Sequence, residues 1–162
     1  MATIHKNLSD IDYSKIPNAN GWRFGIVVSE WNEEITEGLY KGAFQALKDC
    51  GVSESDIERF NVPGSYELIF GAKLIANSRN VDAVICLGSV IRGETAHFDY
   101  VCSAVAHGIK DLNIELNTPI IFGVLTDDNI EQSRARSGGK HGNKGAEAAV
   151  TAVKMVALQR EL

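Results

Sequence analysis

DAVICLGSVI at residues 82–91 runs directly into RGETAH at residues 92–97. The first stretch is apolar almost throughout and reads as a strand buried on both faces, the kind that lies inside a parallel sheet. A glycine turn follows, and then a helix over about Ala96–Glu115, with Val101, Val105, Ile109 and Leu112 at helical spacing. Toward the N-terminus, Ile57–Val62 reads as a strand. Pro63-Gly64 then opens a helix with Tyr66, Ile69, Phe70 and Leu74 along its apolar side, since proline is tolerated at a helix start. Earlier still, Arg23–Ser29 (RFGIVVS) is a short β-branched strand. Its helix carries Ile35, Leu39, Ala43, Ala46, Leu47 and Cys50 on one face and stops at Gly51. Toward the C-terminus, Pro119–Thr126 (PIIFGVLT) is a strand, and Asp128–Glu131 has the spacing of a capping box. A loop over Ser137–Asn143 leads to a last helix over about Gly145–Leu162.

The order is β-α-β-α-β-α-β-α-α. Strands that alternate with helices imply a parallel sheet covered on both faces. Right-handed crossovers leave few topologies. The expectation is an α/β protein: a flavodoxin-like three-layer α/β/α sandwich with a central four-stranded parallel sheet. One domain spans residues 23–162, with no second domain and no internal repeat. Residues 1–22 read as an arm, because Ser9, Asp10, Asp12, Pro17, Asn18 and Gly21 break any period. Ile4, Leu8, Ile11 and Ile16 are placed to pin it to a neighbour.

With 162 residues, the chain suits one core of useful size. Its net charge of −5 disfavours nucleic acid as the main partner, although a local anion site is compatible with it. No apolar run approaches the ~18 residues of a membrane span. Residues 1–20 are polar and lack a hydrophobic signal segment, so the cytoplasm is the expected compartment. Cys50, Cys86 and Cys102 stand far apart and without CxxC spacing, and read as buried thiols with no disulfide or metal role.

Ligands of such sheets sit beyond the carboxyl ends of the strands. After the first strand, Trp31 offers a flat face for a ring and Asn32 both a donor and an acceptor; a core Trp and a helix cap fit the same residues. After the second come Val62-Pro63-Gly64-Ser65-Tyr66-Glu67. Glu67 either accepts from substrate hydroxyls or is a first-turn Glu favoured by the helix dipole. After the third, Gly93 to Thr95 can present backbone N–H groups at a helix N-terminus, an arrangement that suits phosphate. The positive end of that helix disfavours an imidazolium at His97, which suits a proton acceptor. A capping turn and a surface His account for the stretch equally well. Phe122 in the fourth strand reads first as a core aromatic. Arg134, Arg136, Lys140 and Lys144 cluster in a Gly-rich stretch of an acidic chain, where they either grip phosphate or dress a helix C-terminus. The second role suits Arg134 and Lys140 better.

Together these segments resemble the 6,7-dimethyl-8-ribityllumazine synthase family, from about Arg23 to the C-terminus. The pieces are Trp31-Asn32, VPGSYE at 62–67, VIRGETAHFDYV at 90–101, PIIFGVLT at 119–126 and GGKHGNKG at 138–145, in the family's order and spacing. The resemblance implies a transferase of riboflavin biosynthesis. It joins 5-amino-6-(D-ribitylamino)uracil to 3,4-dihydroxy-2-butanone 4-phosphate, without cofactor or metal.

By the same resemblance, Trp31 stacks on the pyrimidine, and Asn32, Ser65, Tyr66 and Glu67 hold the ring and the ribityl chain. Val90 and Ile91 belong to the substrate-binding stretch that leads into the phosphate turn of Gly93, Glu94 and Thr95. His97 matches the proton-transfer residue. Phe122, Arg136 and Lys144 match residues lent by the neighbouring subunit, Arg136 to phosphate and Lys144 near the pyrimidine. Many members carry Phe in place of Trp31, Ala-Phe in place of Ser65-Tyr66 and Thr in place of Gly139, departures that touch ring recognition rather than the reaction. Pentamers are implied, and the short GGKHGNKG loop resembles that of members whose twelve pentamers close a hollow shell, with riboflavin synthase as a possible partner.

Two other readings share the fold class or the assembly. A flavin-binding electron carrier needs a Ser/Thr/Gly-rich loop after the first strand, where Glu30-Trp31-Asn32-Glu33-Glu34 stands instead. A non-catalytic shell protein leaves His97, Arg136 and Lys144 without a reason. A signalling receiver domain is disfavoured because its third strand would end in a phosphorylatable Asp, not Ile91-Arg92-Gly93.

Overall fold

The structure is a computed structural model that describes residue 7 and residues 10–162. Ile4 and Leu8 of the expected arm lie outside the described residues. The elements run β1 (Phe24–Ser29), α1 (Glu33–Asp49), β2 (Ile57–Val62), α2 (Leu68–Ser78), β3 (Ala83–Ile91) and α3 (His97–Glu115). They continue with β4 (Ile120–Asp127), α4 (Ile130–Arg136), β5 (Ser137–Gly139), β6 (Gly142–Asn143) and α5 (Lys144–Glu161).

The main sheet has four parallel strands in the order β2-β1-β3-β4. All six residues of β1 are buried, as a central strand between two helical layers requires. Phe24, Ile26 and Val28 face α1 and α5, where Ile35, Leu39, Ala149 and Val153 complete one core. Val27 turns the other way, to Leu68 and Ala72 of α2 and Val105 and Ile109 of α3. The three-layer α/β/α flavodoxin-like architecture follows from this alternation.

Ahead of β1, Ile11, Tyr13 and Ile16 pack against the α1/α5 core of their own chain. Ala19 is fully buried, and its amide donates to the Cys50 carbonyl at 2.8 Å. Gly51 ends α1 at φ +92, a backbone conformation that costs glycine little.

Three local expectations need correction. The helix after β2 does not start at Pro63 but at Leu68, and it buries Leu68, Gly71, Ala72 and Ile75. Phe70 and Leu74, expected inside, are 71% and 51% exposed. Both sides of this helix are apolar, so periodicity could not choose between them. The small residues decide: a Cβ on Gly71 would lie 2.9 Å from methyls of Val27 and Val62, so the helix packs closest through that face. The cap before α4 is shifted by one residue. Asn129 accepts from the Gln132 amide, and the Gln132 side chain accepts from the Asp128 amide, both at 3.0 Å. The expected loop at 137–143 is an antiparallel hairpin that pairs Ser137 with Asn143 and Gly139 with Gly142.

The three cysteines are free. Cys50 and Cys86 are buried, whereas Cys102 is half-buried. Burial pushes the Cys86 thiol up to about 12, which keeps it inert. No helix among the described residues is long and apolar enough to cross a membrane.

Candidate active site

Parallel strands send their carboxyl ends to one edge of the sheet, and the turns after β1, β2 and β3 meet there. The amides of Glu30 and Trp31 donate to the carbonyls of Val62 and Pro63 at 2.8 and 3.2 Å, which ties the end of β1 to the turn after β2. Between these turns lies a cleft of about 490 Å³.

Trp31 stands on its wall, 72% exposed, so it is not a core Trp. Ser65, Tyr66 and Glu67 follow along the second turn. Ser65 is 7% exposed, and its hydroxyl has no hydrogen-bond partner among the described residues. Glu67 occupies the N-cap of α2 but makes no capping bond, so the helix does not engage its carboxylate. Val90 and Ile91 lead out of β3 into Gly93 and Thr95, and His97 opens α3 on the same wall. The N-cap Ala96 has no side-chain oxygen for the first N–H groups of α3; Thr95 Oγ1 accepts from the His97 amide at 3.4 Å. The His97 ring is exposed and makes no hydrogen bond with any described residue. The cleft therefore joins a flat aromatic face, hydroxyl and carboxylate acceptors, a helix N-terminus and a free imidazole.

The remaining expected residues stand elsewhere. Glu94 is exposed in the turn but is not on the cleft wall. Asn32 sits behind Trp31 at φ 61, and its side-chain amide donates to the Ser89 carbonyl at 3.0 Å. Phe122 packs against the α2/α3 core. Arg136 lines a second cleft, about 450 Å³, together with Asp127, Lys140 and His141. Lys144 is 16% exposed and pairs with Glu147 at 3.1 Å. Within one chain, then, Phe122, Arg136 and Lys144 lie off the wall of the first cleft.

Several groups were not legible in the sequence. Phe98 and Val101 complete the apolar side of the first cleft. Arg92 stacks over the Phe98 ring at 4.1 Å and pairs with Asp128 and Asp99 at 3.0 and 3.2 Å, so it braces the turn that follows it. In the second cleft the buried Asp127 accepts from the Ser133 hydroxyl at 2.8 Å. Arg134, better read as structural, grips Glu34 of α1 through two nitrogens at 2.8 and 3.0 Å. Arg92–Asp128 and Arg134–Glu34 join residues 36 and 100 apart that only the fold brings together, and the shorter pairings follow no helical or strand spacing. Among the described residues no group of three or more His, Cys, Asp or Glu is placed to hold a metal ion.

Fold and cleft together define a doubly wound α/β protein with an open cleft at the carboxyl edge of its sheet, the place where such folds take small molecules. Residues 21–160 match the family model described as 6,7-dimethyl-8-ribityllumazine synthase. A protein of that name from Flavobacterium johnsoniae is 61% identical over 161 residues, covering 99% of this chain and 85% of the relative. Another, from Christiangramia forsetii, is 60% identical and covers 99% of this chain and 96% of its own. A third, from Cytophaga hutchinsonii, is 57% identical, with 97% and 98% covered. The chain belongs to the 6,7-dimethyl-8-ribityllumazine synthase family.

Proposed function

We propose that the chain condenses 5-amino-6-(D-ribitylamino)uracil with 3,4-dihydroxy-2-butanone 4-phosphate, giving 6,7-dimethyl-8-ribityllumazine, phosphate and water. Family membership over nearly the whole chain carries this reading. The first cleft supports it chemically, since all the residues named next except Asn32 and Glu94 line it. Trp31 takes the pyrimidine ring against its exposed face, while Asn32, Ser65, Tyr66 and Glu67 hold ring and ribityl chain. Val90 and Ile91 border the ring, and Gly93, Glu94 and Thr95 receive phosphate at the start of α3.

The steps are imine formation between amine and ketone, loss of phosphate, ring closure and loss of water. Most are proton transfers, which one positioned imidazole, His97, can serve. Holding both substrates in one cleft supplies proximity.

Phe122, Arg136 and Lys144 complete the site of an adjoining protomer, with Arg136 on phosphate and Lys144 near the pyrimidine. Their positions off the cleft wall of their own chain support a shared site. The exposed Phe70 and Leu74 support a subunit contact on α2. The assembly is a homopentamer, twelve of which close a shell with riboflavin synthase as partner. The domain spans residues 23–162, the arm residues 1–22, and the enzyme works in the cytoplasm. The flavin-carrier and inert-shell alternatives gain no support from the family match.

Mixing the purified protein with both substrates and following lumazine fluorescence tests the activity. No product from an assembled, folded protein refutes it. Light scattering of the active protein tests the shell, and a mass near one pentamer refutes it.

A further inference from the structure

Arg136 and Lys144 flank the β5–β6 hairpin, whose outer pair is Ser137 with Asn143. Arg136 immediately precedes the first of these residues and Lys144 follows the second. Whatever fixes this pair fixes both cations.

Asn143 is 8% exposed, and every polar atom of its amide is engaged. Its Oδ1 accepts from the Gly145 and Ala146 amides at 2.8 and 3.3 Å, which caps α5. Its Nδ2 donates to the Gly38 carbonyl of α1 at 2.8 Å, across 105 residues of sequence. Helix α1 is shaped to receive it. A Cβ on Gly42 would lie 2.2 Å from Asn143 Cγ, and one on Gly38 would lie 2.6 Å from the Ser137 carbonyl oxygen. On the other side, a Cβ on Gly145 would lie 1.9 Å from the Leu39 carbonyl oxygen. Three glycines thus let hairpin, α1 and α5 meet at one amide.

We infer that Asn143 is a positioning residue: its side-chain bridge between the start of α5 and the Gly38 carbonyl holds Arg136 and Lys144 where the adjoining site needs them. This rests on the function proposed above. The cap alone stabilises α5; the bond to Gly38 sets where the cations stand.

Asn143→Asp separates the two. Asp caps a helix as well as Asn does, but it loses the N–H donor and sets a carboxylate against the Gly38 carbonyl. The variant is expected to melt below the wild type, since a buried carboxylate then faces a carbonyl, yet to fold and assemble at the assay temperature, while kcat/KM for the phosphorylated ketone falls about 10–100-fold, the usual cost of a slightly misplaced group. A double-mutant cycle excludes a merely structural effect. In Arg136→Ala or Lys144→Ala backgrounds, Asn143→Asp is expected to add little. Wild-type kinetics in Asn143→Asp, or full additivity with both cation variants, overturns the role while the activity stands. A wild-type protein that forms no lumazine from the two substrates refutes the functional reading, and the role with it.

Discussion

The side-chain amide of Asn32 donates to the carbonyl of Ser89 at 3.0 Å and so joins the ends of β1 and β3 across 57 residues of sequence. Asn32 is the one non-glycine residue with positive φ among those described, at 61°. Asn tolerates this conformation better than most residues. Its geometry gives it a structural task beside any contact with the pyrimidine. Asn32→Gly keeps the backbone and loses the bond; Asn32→Ala loses the bond and strains the backbone. The Ala variant is expected to unfold about 1 kcal/mol more easily than the Gly variant in urea. Equal stabilities would show that strain does not select the residue.

His97 opens α3 with an unengaged ring on the cleft wall. Its replacement by Ala should lower kcat by about 10–10³-fold, toward the low end of general acid–base effects, and leave a residual rate from proximity. Stopped-flow fluorescence of the lumazine product measures it. Total loss in a variant that folds and assembles normally would contradict a role confined to proton transfer.

Trp31 is 72% exposed and contributes little to its own core. Stacking of a base on an aromatic is worth ~1–3 kcal/mol, so Trp31→Ala should raise KM for the pyrimidine about 5–150-fold. Trp31→Phe should retain most of the affinity. The melting temperature should barely move in either, and a large drop would assign Trp31 to folding instead.

Gly42 and Gly93 make opposite demands. A methyl on Gly42 would collide with Asn143 at 2.2 Å, so Gly42→Ala should cost about 1–3 kcal/mol of stability through overpacking. A methyl on Gly93 meets nothing within 4 Å, so Gly93→Ala should leave stability unchanged. If the turn binds phosphate through its backbone, that variant loses affinity for the ketone phosphate alone. Denaturant titration beside steady-state kinetics distinguishes the two outcomes.

Glu37 on α1 pairs with Arg59 on β2, with one nitrogen–oxygen distance of 3.1 Å. The hydrogen-bonded guanidinium holds the Glu37 carboxyl below its ordinary value of 4.5. A carboxylate depressed on folding stabilises the native state above its unfolded value. That contribution disappears as pH falls through the lower folded value. Melting temperature should therefore decline from about pH 5 toward pH 2, and Glu37→Gln should flatten part of the slope. An unaltered profile in Glu37→Gln would remove this pair from the acid response.

Much of the fold was legible because strands and helices announce themselves by different periods. Phe24–Ser29 and Ala83–Ile91 are apolar on consecutive positions, as buried parallel strands must be. Their alternation with helical segments left little choice of architecture. Most residues of the first cleft were legible too, Phe98 and Val101 excepted, because ligands gather at strand ends and the segments match the family's motifs. The face of α2 was not, since Phe70 and Leu74 look as suited to a core as Leu68 and Ile75 do. Only the close approach allowed by Gly71 separates them.

The sequence alone determined the order of the four main strands and their helices, the parallel sheet and which turns border the first cleft, because these depend on local periodicity and on residue types at strand ends. Tertiary structure decided which side of α2 is buried, the bond from Asn32 to Ser89, and the seating of Asn143 on Gly38 and Gly42. Those outcomes depend on packing distances and hydrogen-bond partners between residues far apart in the chain, and no local pattern encodes them.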